Sequence, residues 1–155
     1  MFSDLTKLVR TKKEVITLSQ EIELVNEALF QNRPEALEIV LKSGVSAPCA
    51  EILKNAFAKG VDKAKYLKQA KEALKKLKVI SLRVAFDPTE DMIDKLFSWV
   101  TKNVGEGTIL DITKDEEIIG GAIIVSQGHY LDFSLRKKIR EFFSKQRPIL
   151  TKYFQ

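Results

Sequence analysis

The stretch IIGGAIIVSQGHYLDFSLRKK, residues 118–138, decides how the second half of this chain folds. A glycine pair, Gly120-Gly121, interrupts an apolar run with strand character, and an Asp-x-Ser step from Asp132 to Ser134 opens a basic amphipathic helix. Glycine inside a strand costs stability, so the pair predicts a bulge or a close approach of another backbone segment. The stretch carries no pattern of a phosphate loop and no nucleophile with a neighbouring base. It therefore indicates a structural signature rather than an active site.

The polar residues of this stretch have the chemistry of a helix cap. Either the Asp132 carboxylate or the Ser134 hydroxyl can accept hydrogen bonds from the first N–H groups of a helix, which is worth about 1 kcal/mol. The predicted helix covers roughly residues 134–146, and Pro148 ends it. An apolar tail, residues 149–154, follows, and it must dock either on its own domain or on a partner.

Strand patterns lie upstream of the glycine pair. Even-numbered positions are apolar across residues 79–86, which predicts a first strand. Residues 108–113 predict a second strand and residues 118–125 a third. The order predicts a β-α-β-β-α unit, a three-stranded sheet packed against helices.

A helix is predicted between the first two strands. Asp87, Pro88 and Glu90 provide its cap, its first-turn proline and its early acid. The residues expected to face inward recur at helical spacing, and they are Ile93, Leu96, Phe97 and Val100.

The first 77 residues have helical periodicity instead. Thr11 and Glu14 form a capping box that opens a helix running to about residue 31. Three further helices are predicted over residues 32–43, 46–59 and 62–77, because Gly44 and Gly60 separate them. The sequence thus predicts an α+β protein with an N-terminal helical bundle over residues 1–77 and a small β-α-β-β-α domain over residues 78–155.

The fourth predicted helix is rich in lysine. Its apolar stripe buries against other helices or a partner, and the lysines surround that stripe. They indicate either an acidic partner or nucleic acid, or simply a solvated face, which is the commoner outcome. No aromatic residues stand between the lysines as stacking platforms, so we expect no nucleic acid. The lysines are Lys63, Lys65, Lys68, Lys71, Lys75 and Lys76.

Composition bounds the class of protein. The 155 residues are 45% hydrophobic and 30% charged, as expected for a globular chain. The net charge of +5 is a mild excess that is compatible with an acidic protein partner or an anionic surface. A single cysteine, Cys49, excludes an internal disulfide, fits a reducing compartment and is expected to pack as a small hydrophobe. No apolar run approaches the roughly 20 residues of a membrane span. The opening residues, MFSDLTKLVR, predict neither a signal nor a transit peptide.

Residues with catalytic or metal-binding chemistry are sparse. His129 is the single histidine, so a histidine-based metal site has no recognisable ligand spacing, and we expect it in a turn or short strand. The acidic run, residues 115–117, falls in a predicted turn and is interpreted as solvated charge. The sequence predicts no catalytic residue, no metal and no cofactor.

With these motifs in order, residues 78–143 resemble the delta subunit family of F-type ATP synthases, whose mitochondrial counterpart is the oligomycin-sensitivity-conferring protein. The similarity lies in a strand leading to a helix start, a second strand, an acidic turn, an Ile-Gly-Gly step, an apolar strand and an Asp-x-Ser-hydrophobic step before a basic helix. The matching segments are residues 86–90, 109–112, Asp115, 119–121, 122–125 and 132–135 with Lys138. The resemblance implies that the motif residues are structural, and these are Gly120, Gly121, Asp132, Ser134, Leu135 and Lys138.

The resemblance implies a non-catalytic connector without a cofactor. Its partners would be the alpha subunits of the catalytic head, held by the N-terminal helices, and a b-type subunit of the peripheral stalk. It would sit peripherally at the cytoplasmic face of the cell membrane, with membrane contact only through the complex. Family members carry a six-helix N-terminal bundle with an Ala/Tyr-rich opening helix, whereas about four helices are predicted here, so a shortened helical domain is expected.

Two other functions fit parts of the sequence. This chain also resembles the E-type peripheral-stalk protein of archaeal or vacuolar ATPases, whose C-terminal domain ends in a Gly-Gly strand and an Asp-led helix. That protein needs a long, uninterrupted N-terminal coiled coil. In this chain the helical pattern is interrupted by Pro34, Gly44, Pro48 and Gly60. A basic RNA-binding module would use the lysines of the fourth helix, and salt-sensitive RNA binding is its test.

Overall fold

The computed structural model describes the backbone of residues 3–31, 33–126 and 128–153, and their side chains except those of residues 3, 34 and 146–153. It confirms the predicted α+β class, with helices in the N-terminal half followed by a sheet domain. The N-terminal elements are α1 (Ser3–Thr6), α2 (Lys12–Phe30), α3 (Pro34–Ile39), a π-helical turn (Val40–Gly44), α4 (Ala47–Ala58) and α5 (Lys63–Lys75). The C-terminal elements are β1 (Lys78–Val84), α6 (Glu90–Asn103), β2 (Thr108–Lys114), β3 (Ala122–Ser126), β4 (His129–Asp132) and α7 (Leu135–Tyr153).

All four predicted N-terminal helices are present, and a short helix, α1, precedes them. The sequence does not predict α1, because four residues are too few to show a helical period. Leu5 and Val9, in and after α1, are nevertheless fully buried and belong to the core of the helical half. The count of about four helices before the first strand was therefore too low.

Side-chain caps mark where α2 and α5 begin. The Thr11 hydroxyl accepts from the Glu14 N–H, and the Glu14 carboxylate accepts from the Thr11 N–H, which is the predicted capping box. The Asp62 carboxylate caps α5 by accepting a single hydrogen bond from the Lys65 N–H. α3 begins at Pro34, whereas the predicted start at Asn32 lies outside the described residues.

The core of the helical half, which we call core 1, lies between α2, α4 and α5. The predicted stripes on these helices supply its buried residues, because one face of each amphipathic helix turns away from water. The buried members from these three helices are Leu18, Ile22, Val25, Cys49, Leu53, Tyr66, Leu67, Ala70 and Leu74.

The sheet has four strands in the order β2-β1-β3-β4. β1 pairs parallel with β2 and antiparallel with β3, and β3 pairs antiparallel with β4. The predicted count of three strands was wrong, because residues 129–132 form β4. This strand shows no buried alternation, with its first three side chains exposed, so its sequence carries no period-two signal.

A second core, core 2, lies where α6 covers one face of the sheet. Ile80, Val100 and Leu110 are buried there, as the strand and helix periods predict. Leu96 and Phe97 of α6 pack against them. Phe86, expected to continue the first strand, instead lies beyond the end of β1 and is exposed.

The glycine pair precedes β3 rather than lying inside a strand, so the predicted strand over residues 118–125 was wrong at its start. The Ile118 N–H donates to the Asp115 carbonyl at 3.1 Å, which closes a turn. Gly121 then has a φ of +85°, which is incompatible with a continuing strand ladder. β3 begins directly afterwards, at Ala122.

Two helix boundaries also differ from prediction. Thr89, not Asp87, caps α6, since its hydroxyl accepts from the Met92 N–H and its backbone is still extended. α7 passes through Pro148 and ends at Tyr153. Proline removes one backbone hydrogen bond and crowds the carbonyl four residues earlier, at a cost of about 3 kcal/mol, but its φ near −65° is helical and α7 continues past it. The docking predicted for the apolar tail, residues 149–154, concerns side chains outside the described set.

Candidate interaction surfaces

Gly121 marks a close crossing of two backbone segments. A Cβ atom at this position would overlap the Phe133 carbonyl oxygen and lie 3.1 Å from the Ser134 Cα. The positive φ at Gly121 is also one that side chains rarely tolerate. At Gly120 a Cβ would lie 3.5 Å from the Leu135 Cβ, which is an ordinary contact. Gly121 therefore requires glycine for a physical reason that does not apply to Gly120.

Hydrogen bonds fasten this crossing to the start of α7. The Leu135 N–H donates to the Gly120 carbonyl at 2.7 Å, and the Phe133 N–H donates to the Ala122 carbonyl at 2.9 Å. The buried Ser134 hydroxyl accepts from the N–H of residue 137 at 3.4 Å, as a helix cap does. The loop before β3 and the first turn of α7 are thus held together.

Asp132 supports the same helix start. Its carboxylate accepts from the Ser134 N–H at 2.8 Å. The hydrogen bond with the Ser134 hydroxyl, followed by that with the backbone N–H, lowers the pKa of Asp132. Four motif residues, Gly120, Gly121, Asp132 and Ser134, therefore meet at one junction, whereas the side chains of Leu135 and Lys138 are exposed on α7.

A cavity of about 190 Å³ lies beside this junction, and its polar groups satisfy one another. Asp115 forms an ion pair with Arg83, and its side chain is only 11% exposed. The interpretation of residues 115–117 as solvated turn charge was therefore wrong for Asp115, because a cross-strand arginine neutralises it. The Arg136 guanidinium donates to the Glu117 carbonyl at 3.2 Å. This arrangement fixes the turn to α7, and the carboxylates of Asp115 and Asp132 are each held by a structural partner, Arg83 and the Ser134 N–H.

Helix α7 exposes an apolar stripe over its described side chains, residues 135–145. The stripe residues recur at helical spacing, so they share one face of the helix. Phe142 and Phe143 contact each other edge to face, with ring centroids 5.8 Å apart. Exposed apolar surface of this extent indicates an interaction site. We call this surface the α7 stripe, and it consists of Leu135, Ile139, Phe142 and Phe143.

Positive charge flanks the α7 stripe. Between residues 135 and 145 the helix carries five basic side chains and one acidic side chain, Glu141. Glu141 lies 4.0 Å from the Lys137 ammonium. The field around the stripe is therefore cationic, which favours an acidic partner. The basic side chains are Arg136, Lys137, Lys138, Arg140 and Lys145.

A second surface is a groove of about 410 Å³ between α2 and α5. Phe30 at the C-terminal end of α2 is 72% exposed, although burying a large aromatic side chain is strongly favourable. Ile22 and Leu67 contribute to the apolar floor, and Lys65 and Lys68 stand on its α5 side. We call this surface the α2–α5 groove. Its lining is mainly apolar, and Glu23 on the α2 side is paired with Lys71.

The lysines of α5 are solvent-facing, with two local interactions. The Lys71 ammonium donates to the Glu23 carboxylate at 2.9 Å, which joins α5 to α2 across the groove. The Lys63 ammonium lies 5.5 Å from the centre of the Phe57 ring, within cation–π range.

The residues considered for chemistry have structural positions. Cys49 is fully buried in α4, as predicted, and burial followed by the charge of Glu21 raises the pKa of its thiol to about 12. The thiol is therefore protonated and inert at neutral pH. His129 is an exposed residue of β4, which matches the short strand expected for it. Within the part of the chain that the structure describes, no group of three His, Cys, Asp or Glu side chains could hold a metal ion.

Sequence reasoning missed two features. Phe30 lies off the apolar stripe of α2, and that departure is the signal that marks it as a surface residue. Arg10 contacts Glu14, Glu90 and Asp94, but no pattern in the sequence connects residues 80 positions apart.

None of the described helices combines the length and the apolar character that crossing a membrane requires.

The fold is that of an α+β protein, with a helical half that presents an apolar groove and a sheet half that presents an exposed amphipathic helix. The family model of the ATP synthase delta (OSCP) subunit matches residues 31–145, and the chain belongs to this family. The match confirms the resemblance found in residues 78–143 and extends it into the helical half.

A curated relative agrees with this assignment. The ATP synthase subunit delta of Lactobacillus delbrueckii subsp. bulgaricus is 27% identical over 159 aligned positions, covering 98% of this chain and 84% of that protein. The family consists of linking subunits of the ATP synthase peripheral stalk, which are structural and not catalytic.

Proposed function

We propose that this chain is the non-catalytic connector that joins the catalytic head of a rotary F-type ATP synthase to its peripheral stalk and resists the torque of the rotor. Its working parts are two helical binding surfaces at opposite halves of the chain. The observation that carries the proposal is the pairing of family membership with two separate apolar surfaces, the α2–α5 groove and the α7 stripe.

The proposal divides the chain into a head-binding domain, residues 1–77, and a stalk-binding domain, residues 78–155. Two separate cores support this division. Core 1 draws its residues from α1 to α5 and from Ile109, whereas core 2 draws them from β1, α6, β2 and β3. The break falls between the end of α5 and Lys78, the first residue of β1.

The α2–α5 groove is the proposed site for the head, and its proposed occupant is a helix of an alpha subunit. An apolar floor with lysines on one side selects a helix that has apolar residues on one face and acidic residues beside them. Phe30 would be covered in such a complex, and aromatic anchors of this kind carry much of the binding energy at interfaces.

The α7 stripe is the proposed site for the stalk, and its proposed occupant is a helix of a b-type subunit. An isolated helix is marginal in water, so α7 gains stability when a partner covers its apolar face. A second copy of the chain would bring like charges together, because five of the six charged side chains over residues 135–145 are basic. The partner helix is therefore expected to carry acidic residues beside its apolar face.

Through this complex the protein would lie peripherally at the cytoplasmic face of the cell membrane, next to the head and away from the lipid. This placement follows from the proposed partners and requires no direct membrane contact.

Variants that damage one surface at a time test the proposal. Phe30→Ala combined with Lys68→Glu is expected to weaken head binding at least tenfold, about 1.4 kcal/mol, and to leave stalk binding unchanged. The matched control is Lys75→Glu, an exposed α5 lysine that does not line the groove. Binding of purified head by the full chain is measured by titration calorimetry.

The reverse selectivity is expected for α7. Phe142→Ala with Phe143→Ala weakens binding of the soluble part of the b-type subunit and spares head binding. The control is Trp99→Ala, which removes an exposed aromatic side chain of α6 outside the α7 stripe and is expected to leave stalk binding unchanged. If unaltered protein bound neither head nor stalk, or if RNA competed for both surfaces at physiological salt, the connector proposal would fail.

A further inference from the structure

Arg10 lies at the contact between the helical half and the sheet half. Its guanidinium donates to Glu14 at the start of α2, at 2.6 Å. It also donates to Glu90 at 2.8 Å and to Asp94 at 2.5 Å, both in the first turns of α6. One planar group with several fixed donors therefore joins the N-terminal ends of two helices from different halves. We call this set, Arg10 with Glu14, Glu90 and Asp94, the Arg10 clamp.

The backbone beside the clamp extends the sheet. The Leu110 N–H donates to the Arg10 carbonyl at 2.9 Å, and Thr11 forms a parallel bridge with Leu110. The segment before α2 therefore pairs with the free edge of β2, which would otherwise expose unpaired backbone groups. A second ion pair, from Lys12 to Asp111 at 2.8 Å, lies next to this bridge.

Neighbouring residues of β2 serve different cores. Successive side chains of a strand point to opposite faces of a sheet. Ile109 is buried in core 1 with the helices, and Leu110 is buried in core 2 under α6. β2 is thus shared by both halves, and the clamp lies directly beside the shared residues.

We propose that Arg10 is a positioning residue that locks the two halves in one fixed orientation. The proposal rests on the contacts of Arg10 and is independent of which partners the two halves bind. A fixed orientation sets the angle between the α2–α5 groove and α7, so anything held at one surface is held rigidly relative to the other.

The clamp has one contact within the helical half, to Glu14, and two exposed contacts to the sheet half that are sensitive to salt. Glu14 is partly buried and belongs to the same half as Arg10, and its second oxygen accepts from the Arg10 N–H at 2.6 Å. Glu14 therefore holds the guanidinium in place. Glu90 and Asp94 are 77% and 60% exposed, and exposed ion pairs weaken as salt screens them. Within the clamp, the two contacts that cross between the halves are therefore the ones that salt weakens, whereas the backbone bond from Leu110 to Arg10 is not an ion pair.

The test measures the distance between the halves in the full chain. Spin labels are placed at Lys54→Cys in α4 and Lys102→Cys in α6, both exposed, while Cys49 is too buried to react. Double electron–electron resonance on the labelled protein is expected to give one narrow distance peak. Glu90→Gln with Asp94→Asn removes the two carboxylate charges that Arg10 meets across the halves and keeps the side-chain shapes and the Lys12–Asp111 pair, and we expect the narrow peak to be lost. Raising the salt from about 0.02 M to about 0.5 M is expected to broaden the peak in the same direction.

The matched control is Asp91→Asn. Asp91 occupies the same first turn of α6 and is exposed, but it pairs with Lys95 of its own helix. It is expected to leave the peak narrow. Arg10→Lys, which keeps the charge but loses the fork of donors, is expected to give an intermediate width. A peak that stays narrow in the Glu90→Gln, Asp94→Asn variant at both salt concentrations would overturn the proposal, because the backbone pairing alone would then set the orientation.

Discussion

At the scale of single residues, Gly121 and Gly120 are adjacent but have opposite tolerance for a side chain. Gly121→Ala places a methyl group against the Phe133 carbonyl and imposes a left-handed backbone on alanine. The expected loss in the free energy of unfolding is at least about 2 kcal/mol. Gly120→Ala meets only an ordinary contact, and we expect a loss below about 1 kcal/mol. Urea unfolding of both variants measures the difference, and equal losses would contradict the close crossing.

Glu14 makes the stability of the fold depend on pH. Burial by itself raises the pKa of Glu14, but hydrogen bonds from the Arg10 side chain and from the Arg10 and Thr11 N–H groups outweigh it, so the net pKa is lowered. An acid whose pKa is lower in the folded state stabilises the fold above its unfolded pKa, and this stabilisation is lost as the pH falls through the folded value.

The Glu14→Gln variant isolates this effect. Near neutral pH it is expected to be less stable than the unaltered protein by about 1 kcal/mol, the usual value of a cap interaction. Below the folded pKa of Glu14, the two proteins are expected to converge in stability. Urea unfolding across acid pH measures the gap, and a gap that stayed constant would show that the Glu14 charge does not contribute.

Single residues were predictable from sequence where the cause is local. The capping box at Thr11 and Glu14 depends on two residues three positions apart, and the burial of Leu18 and Ile22 depends on a helical period. The ion pair of Asp115 with Arg83 was not predictable, because it needs two strands to be side by side in a known register.

At the scale of elements, α7 stands apart from the other long helices. Its described side chains over residues 135–145 are all exposed, and the apolar face lies open to water. Backbone hydrogen bonds in such a helix open locally at low cost. In the free protein we expect the amides of α7 to exchange with solvent much faster than those of α2, which lies against core 1.

Hydrogen exchange read by mass spectrometry measures this contrast. Adding the soluble part of the b-type stalk protein is expected to slow exchange in α7 and to leave α4 unchanged, so α4 is the internal control. Equal protection of α7 and α2 in the free protein would contradict an unpartnered α7.

Elements with a strong period were predicted correctly, and weak ones were not. Helices α2, α4, α5 and α6 each bury one face and therefore show the helical repeat. β4 buries none of its first three side chains, so it gives no alternation to detect. The end of α7 was misplaced because a proline usually kinks or ends a helix, whereas α7 continues through Pro148 to Tyr153.

At the scale of the whole molecule, the chain exposes more surface than a compact monomer of its mass. Its accessible surface is 11,048 Å², whereas a folded 17.6 kDa monomer exposes about 7,900 Å² on the usual scaling. The exposed apolar residues include the α7 stripe and Phe30, which the connector proposal places against partners.

The sequence does not predict how the two halves contact each other. The predicted division near residue 77 rests on a change of period, from helical to strand, that is visible in the sequence. The Arg10 clamp joins residues 80 positions apart, and β2 is shared between two cores, which only the folded register reveals.

The central claim is that one chain holds head and stalk at the same time. Purified head, the full chain and the soluble part of the b-type stalk protein are mixed, and the mass of the product is measured by size-exclusion chromatography with light scattering. If the chain is the connector, we expect a ternary complex that forms only when the chain is present. With the Phe142→Ala, Phe143→Ala variant, we expect only the binary complex of head and chain. Competition between head and stalk for the chain, or no ternary complex at concentrations where each pair forms, would contradict it.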